Sequence, residues 1–207
     1  MVEELIRRYP VLGSIQKEIE AAYRLLEACY ASGGKLLAAG NGGSASDAEH
    51  IVGELMKGFV KRRPIPEAMA CALKEIDGGR GARLAEKLQG ALPAIALTNH
   101  AALSSAFAND VDPALSYAQQ INGYGVPGDV FLGISTSGNA ENVLYAAVTA
   151  KARGLKVLAL TGKNGGKLAA LANVAVIAPE QETYRIQELH LPIYHTLCLM
   201  LEERFFA

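Results

Sequence analysis

Five short, almost wholly apolar runs, four of them closed by glycine or a small polar residue, restrict this chain more than any other feature. They fall at residues 35–39, 93–97, 129–134, 156–160 and 174–177. None alternates apolar with polar residues, so each predicts a strand buried on both faces. Between them lie stretches with helical spacing. In residues 14–30, Ile15, Ile19, Ala22, Leu26 and Cys29 recur on one face, with Lys17, Glu18, Arg24 and Glu27 between them. Further helices are expected over residues 46–60, up to Phe107, over 140–153 and over 183–206. Strands alternating with helices mean an α/β three-layer sandwich around a five-stranded parallel sheet, with an N-terminal helix and a long C-terminal helix. Such a sheet binds ligands at the carboxyl ends of its strands, near the point where strand order reverses.

The chain has 207 residues, half of them apolar, which is ample for one buried core. The expectation is a single domain over residues 1–207, with an N-terminal helical segment at 1–32. Residues 62–92 break the rhythm. They hold a helical run from Glu67 to Ile76, the turn-like Asp77-Gly78-Gly79-Arg80-Gly81 and a second short helical run, and so read as an inserted hairpin with a structural or interface role. A net charge of −1 gives no basic footprint for nucleic acid or an anionic membrane surface. The four basic residues within 57–63 read as a solvated helix end. No apolar run approaches the roughly 20 residues of a membrane span. Cys29, Cys71 and Cys198 fit no metal or disulfide spacing and read as buried thiols. With a charged N-terminus lacking a signal core, they predict a cytoplasmic protein.

Two loops share one character. Gly40-Asn41-Gly42-Gly43-Ser44 and Ser135-Thr136-Ser137-Gly138-Asn139 each follow a strand and open a helix. Backbone N–H groups converge in such turns and the helix start adds partial positive charge, so an anion is favoured there. Serine hydroxyls add donors. No Gly-Lys-Ser/Thr follows, and the G-x-G-x-x-G spacing is missing, which disfavours nucleoside triphosphates and dinucleotides.

His50 and Glu54, four residues apart, share one face of the helix after the first loop. On the last helix, Gln187 and His195 stand two turns apart with an offset of about 80°, which a kink at Pro192 would reduce. His190 and Glu188 compete for the same roles. Taken singly, each histidine reads as a packed core residue, and His100 keeps that reading. Taken together, two histidines, a carboxylate and an amide can form a zinc shell or a general acid–base pair.

The two loops, with Leu160-Thr161-Gly162 and Arg185-Ile186-Gln187-Glu188, resemble the sugar isomerase (SIS) domain, and within it most closely the phosphoheptose isomerases. The likeness runs over nearly the whole chain outside the insert. It implies a flavodoxin-like fold, a homotetramer with active sites between subunits, and a bound Zn2+. Carried over, it makes Glu54 and His195 catalytic and gives His50, Glu54, Gln187 and His195 as the metal set. Its substrate-binding positions are Asn41, Gly42, Gly43, Ser44, Glu54, Asn109, Asp110, Ser135, Thr136, Ser137 and Gln187. Three positions depart from the family pattern: Ala140 replaces a serine that contacts the phosphate, Tyr184 replaces a small acidic residue, and Pro192 stands within the last helix. The implied activity is aldose–ketose isomerisation of sedoheptulose 7-phosphate through an enediol. The alternatives are a non-catalytic SIS module that binds a partner protein or senses a sugar phosphate, and an isomerase of another sugar phosphate.

Overall fold

The computed structural model describes residues 1–206. The chain opens with α1 (Val2–Arg8), a 3-10 turn at Pro10–Ile15 and α2 (Gln16–Ala31). It continues through β1 (Leu36–Ala39), α3 (Gly43–Met56), α4 (Glu67–Ile76), α5 (Gly78–Lys87) and β2 (Ala94–Ala96). Then come α6 (Ala101–Asp110), a 3-10 turn at Pro113–Leu115, α7 (Ser116–Tyr124) and β3 (Val130–Ser135). The chain closes with α8 (Glu141–Ala152), β4 (Lys156–Thr161), α9 (Gly166–Leu171), β5 (Val174–Ile177) and α10 (Thr183–Phe206).

All five strands are parallel, in the order β2-β1-β3-β4-β5. Strand order therefore reverses between β1 and β3, and the two glycine/serine loops leave the carboxyl ends of those two strands. The strands bury both faces, which is why they read as unbroken apolar runs. Leu36, Ala38, Val130, Leu132, Ile134 and Leu158 pack on one side with α1, α2, α3 and α10. Leu37, Ala39, Phe131, Val157 and Ala159 pack on the other side with α7, α8 and α9. Asp129 fastens β3 to β1, accepting from Lys35 Nζ at 2.6 Å and from the Lys35 and Val126 N–H groups.

Several local expectations are corrected. Pro10 divides the N-terminal segment, because its ring forbids a continuous helix. The helix expected over 46–60 starts at Gly43 and stops at Met56, since Arg63 Nη1 and Nη2 take the Leu55 and Glu54 carbonyls at 2.8 and 3.1 Å. The glycine run after Asp77 opens α5. The Asp77 carboxylate accepts from the Arg80 N–H and offsets the poor helical propensity of glycine. A helix absent from the sequence reading, α7, follows Asp112-Pro113, where the Asp112 carboxylate accepts from the Ala114 N–H. Cys71 lies exposed on α4, whereas Cys29 and Cys198 are buried thiols as expected.

The α4–α5 hairpin packs on itself and buries only Gly81. Its ends meet in an antiparallel bridge between Pro64 and Gln89, with the Gly90 N–H donating to the Arg63 carbonyl. That root lies at the end of α3 remote from the two loops, about 20 Å along the helix.

A fully buried ion pair holds that end. Arg63 Nε donates to Glu202 of α10 at 2.8 Å, and neither side chain is more than 1% exposed. Glu202 also accepts the N–H groups of Phe59, Val60 and Lys61. Burial pushes the Glu202 carboxyl up, but those N–H groups and the guanidinium outweigh it and hold the group below its ordinary value. Replacing Glu202 with glutamine is expected to lower the unfolding free energy by about 3–5 kcal/mol, the usual cost of leaving one buried charge alone; urea titration measures it.

His190, wholly buried on α10, donates through Nε2 to the Thr161 carbonyl at the end of β4. Burial drives its imidazole down from 6.5 to about 4, opposed only by that bond. The folded chain thus takes up this proton later than the unfolded chain does. The associated stability is complete above pH 6.5 and falls as pH drops towards 4, by roughly 3 kcal/mol. A His190→Gln variant is expected to flatten that part of the stability profile, read by urea titrations between pH 7 and 4.

Candidate active site

The first loop starts where β1 ends. Gly42, at φ +54°, caps α3, and no side chain caps the helix start. The second loop turns at Gly138, φ +64°, where any Cβ would strike the Gly165 carbonyl, so glycine is required. The β4–α9 segment braces this turn: the Gly162 and Leu168 N–H groups donate to the Thr136 and Gly138 carbonyls. The start of α8 likewise has no side-chain cap. Two uncapped helix starts at the strand-order reversal form a neutral, N–H-rich cradle suited to a phosphate.

Asn41 and Asn142 tie the two loops together by reciprocal amide hydrogen bonds of 2.9 Å. Tyr117 on α7 donates to the Gly40 carbonyl at 2.7 Å and steadies the first loop from below. Ser44 and Ser135 are buried in the cradle wall, with Thr136 and Ser137 half-buried beside them. The Gln187 amide lies directly against Gly43, in space that any larger residue there would fill.

Along α3 from the cradle, His50 and Glu54 face α10. His50 Nε2 lies 3.2 Å from Glu54 Oε1 and 3.4 Å from His195 Nε2. The sequence pairing of a carboxylate and an imidazole 141 residues apart thus corresponds to one cluster, with His50 at its centre. Lys57 Nζ stands 3.2 Å from the other Glu54 oxygen. The Glu54 side chain is 12% exposed and His50 43%, so the cluster is open on the imidazole side. Burial lowers the His195 imidazole below its ordinary value, the neighbouring His50 adds to that, and Glu54 opposes it. His195 is therefore neutral at pH 7 and able to accept a proton. Beside it, a cavity of about 470 Å³ runs under α1, lined by Tyr9, Phe59 and Pro192 among others.

Not every carried-over residue joins these two groups. Gln187 makes no hydrogen bond to His50, Glu54 or His195; it belongs to the cradle. Asn109 and Asp110 bond one another at 2.7 Å on the exposed last turn of α6 and make no hydrogen bond to the cradle. His190 is a core residue under β4, and Glu188 makes no contact with the cluster. Sequence reading missed Asp47 and Tyr194. The Tyr194 hydroxyl donates to Asp47 Oδ1 at 3.2 Å and lies 3.1 Å from His50 Nδ1. A signal existed, since Asp47, His50 and Glu54 at i, i+3 and i+7 share one helical face. Among the described residues no group of three or more His, Cys, Asp or Glu side chains is placed to hold a metal ion; His50, Glu54 and His195 form an open row.

The family model of the SIS domain matches residues 7–90 and again 78–162. A phosphoheptose isomerase of Sulfurimonas denitrificans is 35% identical over 92% of this chain and 84% of its own length. The solved phosphoheptose isomerase of Neisseria gonorrhoeae superposes with a TM-score of 0.76 at 32% identity, covering 97% of this chain and 94% of that one. That of Francisella tularensis gives 0.77 at 29% identity with the same coverage. The chain belongs to the SIS-domain family, on its phosphoheptose isomerase side, and is an enzyme of the isomerase class.

Proposed function

We propose that this protein interconverts the ketose and aldose forms of a sugar phosphate, with sedoheptulose 7-phosphate and D-glycero-D-manno-heptose 7-phosphate as the pair. The observation that carries the reading is the meeting of Glu54 and His195 with His50 beside an anion cradle. Gly43, in the cradle, precedes His50 by seven residues, about 10 Å along α3. That interval suits an extended sugar with its phosphate at one end and its reacting carbons at the other.

The phosphate sits among the N–H groups and hydroxyls of Gly42, Gly43, Ser44, Ser135, Thr136 and Ser137, and its binding energy orients the sugar chain. Glu54 takes the C1 proton of the ketose while the C2 carbonyl oxygen gains a proton, giving the enediol. Glu54 then returns a proton to C2 as the O1 hydroxyl gives up its own, and the aldose forms. His195, neutral and half-buried, serves the oxygen-bound protons. Lys57 Nζ stays 3.2 Å from the second Glu54 oxygen and helps hold the carboxylate in place.

The donor set also suits zinc. Two imidazole nitrogens and a carboxylate oxygen are donors of the type zinc prefers, and His50 Nε2 stands 3.2 and 3.4 Å from the other two. His50, His195 and Glu54 would hold the ion, and when bound it would polarise the sugar carbonyl. Gln187 is assigned to the substrate. The openness of the cluster in one chain is the reason to include a homotetramer, with a neighbouring subunit closing each site. Among the described residues no helix is long and apolar enough to cross a membrane.

A Glu54→Gln variant is expected to lose about 10²–10⁴-fold in kcat while still binding the sugar phosphate in calorimetry; retained turnover would remove Glu54 as the base. Across a panel of ketose phosphates, kcat/KM is expected to peak at seven carbons, and a peak at five or six would transfer the reading to another sugar. Elemental analysis is expected to find zinc, with activity lost on chelation and restored by Zn2+.

A further inference from the structure

We propose that the α4–α5 hairpin is a docking arm for a second copy of this chain, the tip of each arm seating in a groove at the root of the other. The two helices pack chiefly on each other. On α4, Met69, Ala72, Leu73 and Ile76 fall at i, i+3, i+4 and i+7, and on α5 Leu84 and Leu88 stand one turn apart. Such spacing marks helix faces made for packing, yet Met69, Ile76, Leu84 and Leu88 are all exposed. Met69 and Leu88 also line a groove of about 610 Å³, with Ile65 and Pro66 at the hairpin root and Phe205 and Phe206 at the end of α10. The two apolar stripes therefore lie on one side of the hairpin and run into that groove. No charged side chain lines it.

The occupant follows from where knob and hole lie. Ile76, 84% exposed, is the most exposed large apolar side chain among the described residues, and it ends α4 at the hairpin tip. The groove lies at the root. Ten helical residues, about 15 Å, separate the two, so an arm cannot fill its own groove. A two-fold axis across the arm, perpendicular to its length, reverses the second copy and lays each tip on the other's root. Both knobs and both holes are then used, and the apolar faces cover one another, as an isologous contact requires. Residues 67–87 carry four acidic and four basic side chains, so the arm lacks the basic rim of a helix that lies on a membrane surface. The two faces and two grooves offer roughly 1,000 Å², the size of a reversible contact rather than a permanent one. None of this depends on the sugar chemistry proposed above.

The test is site-directed disulfide trapping in the full chain. Cys71, the one exposed thiol among the described residues, is removed by Cys71→Ser, leaving the buried Cys29 and Cys198. Into that background go Met69→Cys and Ile76→Cys, singly and together. All three positions are exposed, so folding is not at stake. Positions 69 and 76 lie about 10 Å apart along one helix, too far for a bond within a chain. Across the two-fold axis, however, position 69 of one arm meets position 76 of the other. Under mild oxidation at micromolar concentration, the double variant is expected to form covalent dimer about 10-fold faster than either single variant, because a held pair reacts at a raised effective concentration. A double variant no faster than the singles would overturn the inference, and is the result expected if the arm instead grips a different protein. An Ile76→Cys variant that crosslinks alone as fast as the double variant would also overturn it, since that places tip against tip.

Discussion

The buried pair of Arg63 and Glu202 sets the distance at which the functional groups meet. Glu54 and His50 belong to α3, while His195 belongs to α10, and 126 residues of chain separate the two helices. Arg63 takes two carbonyls at the end of α3, one of them Glu54's own, while its Nε engages Glu202, seven residues after His195. The guanidinium plane also lies 4.5 Å from the Phe206 ring, so its remaining face is covered. Buried ion pairs contribute little net stability against an apolar alternative. What this one supplies is registry. Two helices packed by apolar side chains alone can slide by a ridge, whereas an ion pair with six hydrogen bonds between and around its two members tolerates no such shift.

That registry places the chemistry along a groove rather than at the sheet edge. The strand-order reversal builds the cradle at the carboxyl ends of β1 and β3, as in other open α/β sheets. The cluster of Glu54, His50 and His195 instead lies part-way down the groove between α3 and α10, which run side by side in the same direction. Gln187 meets Gly43 at one level, His195 meets His50 at the next, and Glu202 meets the α3 terminus at the last. The cradle and the Glu54, His50 and His195 cluster are thereby separated along one axis, with the clamp below both.

Much of this was legible in the residues because its causes are local. Strands buried on both faces leave unbroken apolar runs, and the boundaries of β5 and α10 follow from them directly. The two loops announce themselves because glycine and serine are needed wherever backbone must meet an anion. Other features have non-local causes. The stop of α3 at Met56 is set by Arg63, which reaches back across a turn that no propensity encodes. The helix through Gly78 and Gly79 depends on one cap. The pairing of Tyr194 with Asp47 appears only once α10 lies on α3, although the shared face of Asp47, His50 and Glu54 was visible beforehand. Asn109 and Asp110, placed in the site by resemblance, stand with one another on α6 because no contact within a single chain draws that helix to the cradle.

The same clamp explains how the chain carries the α4–α5 hairpin between α3 and β2 without disturbing either. Both roots of the α4–α5 hairpin are closed at the clamp: the Gly90 N–H bonds to the Arg63 carbonyl, Gln89 Oε1 accepts from the Gly58 N–H, and the Leu92 N–H returns to the Leu55 carbonyl. The chain therefore leaves and re-enters the body at nearly one point. A loop whose ends are already joined adds entropy cost only slowly with length, and a hairpin that buries only its own glycine transmits no strain to α3. The geometry of the Glu54, His50 and His195 cluster is held by the ends of the hairpin, not by its contents.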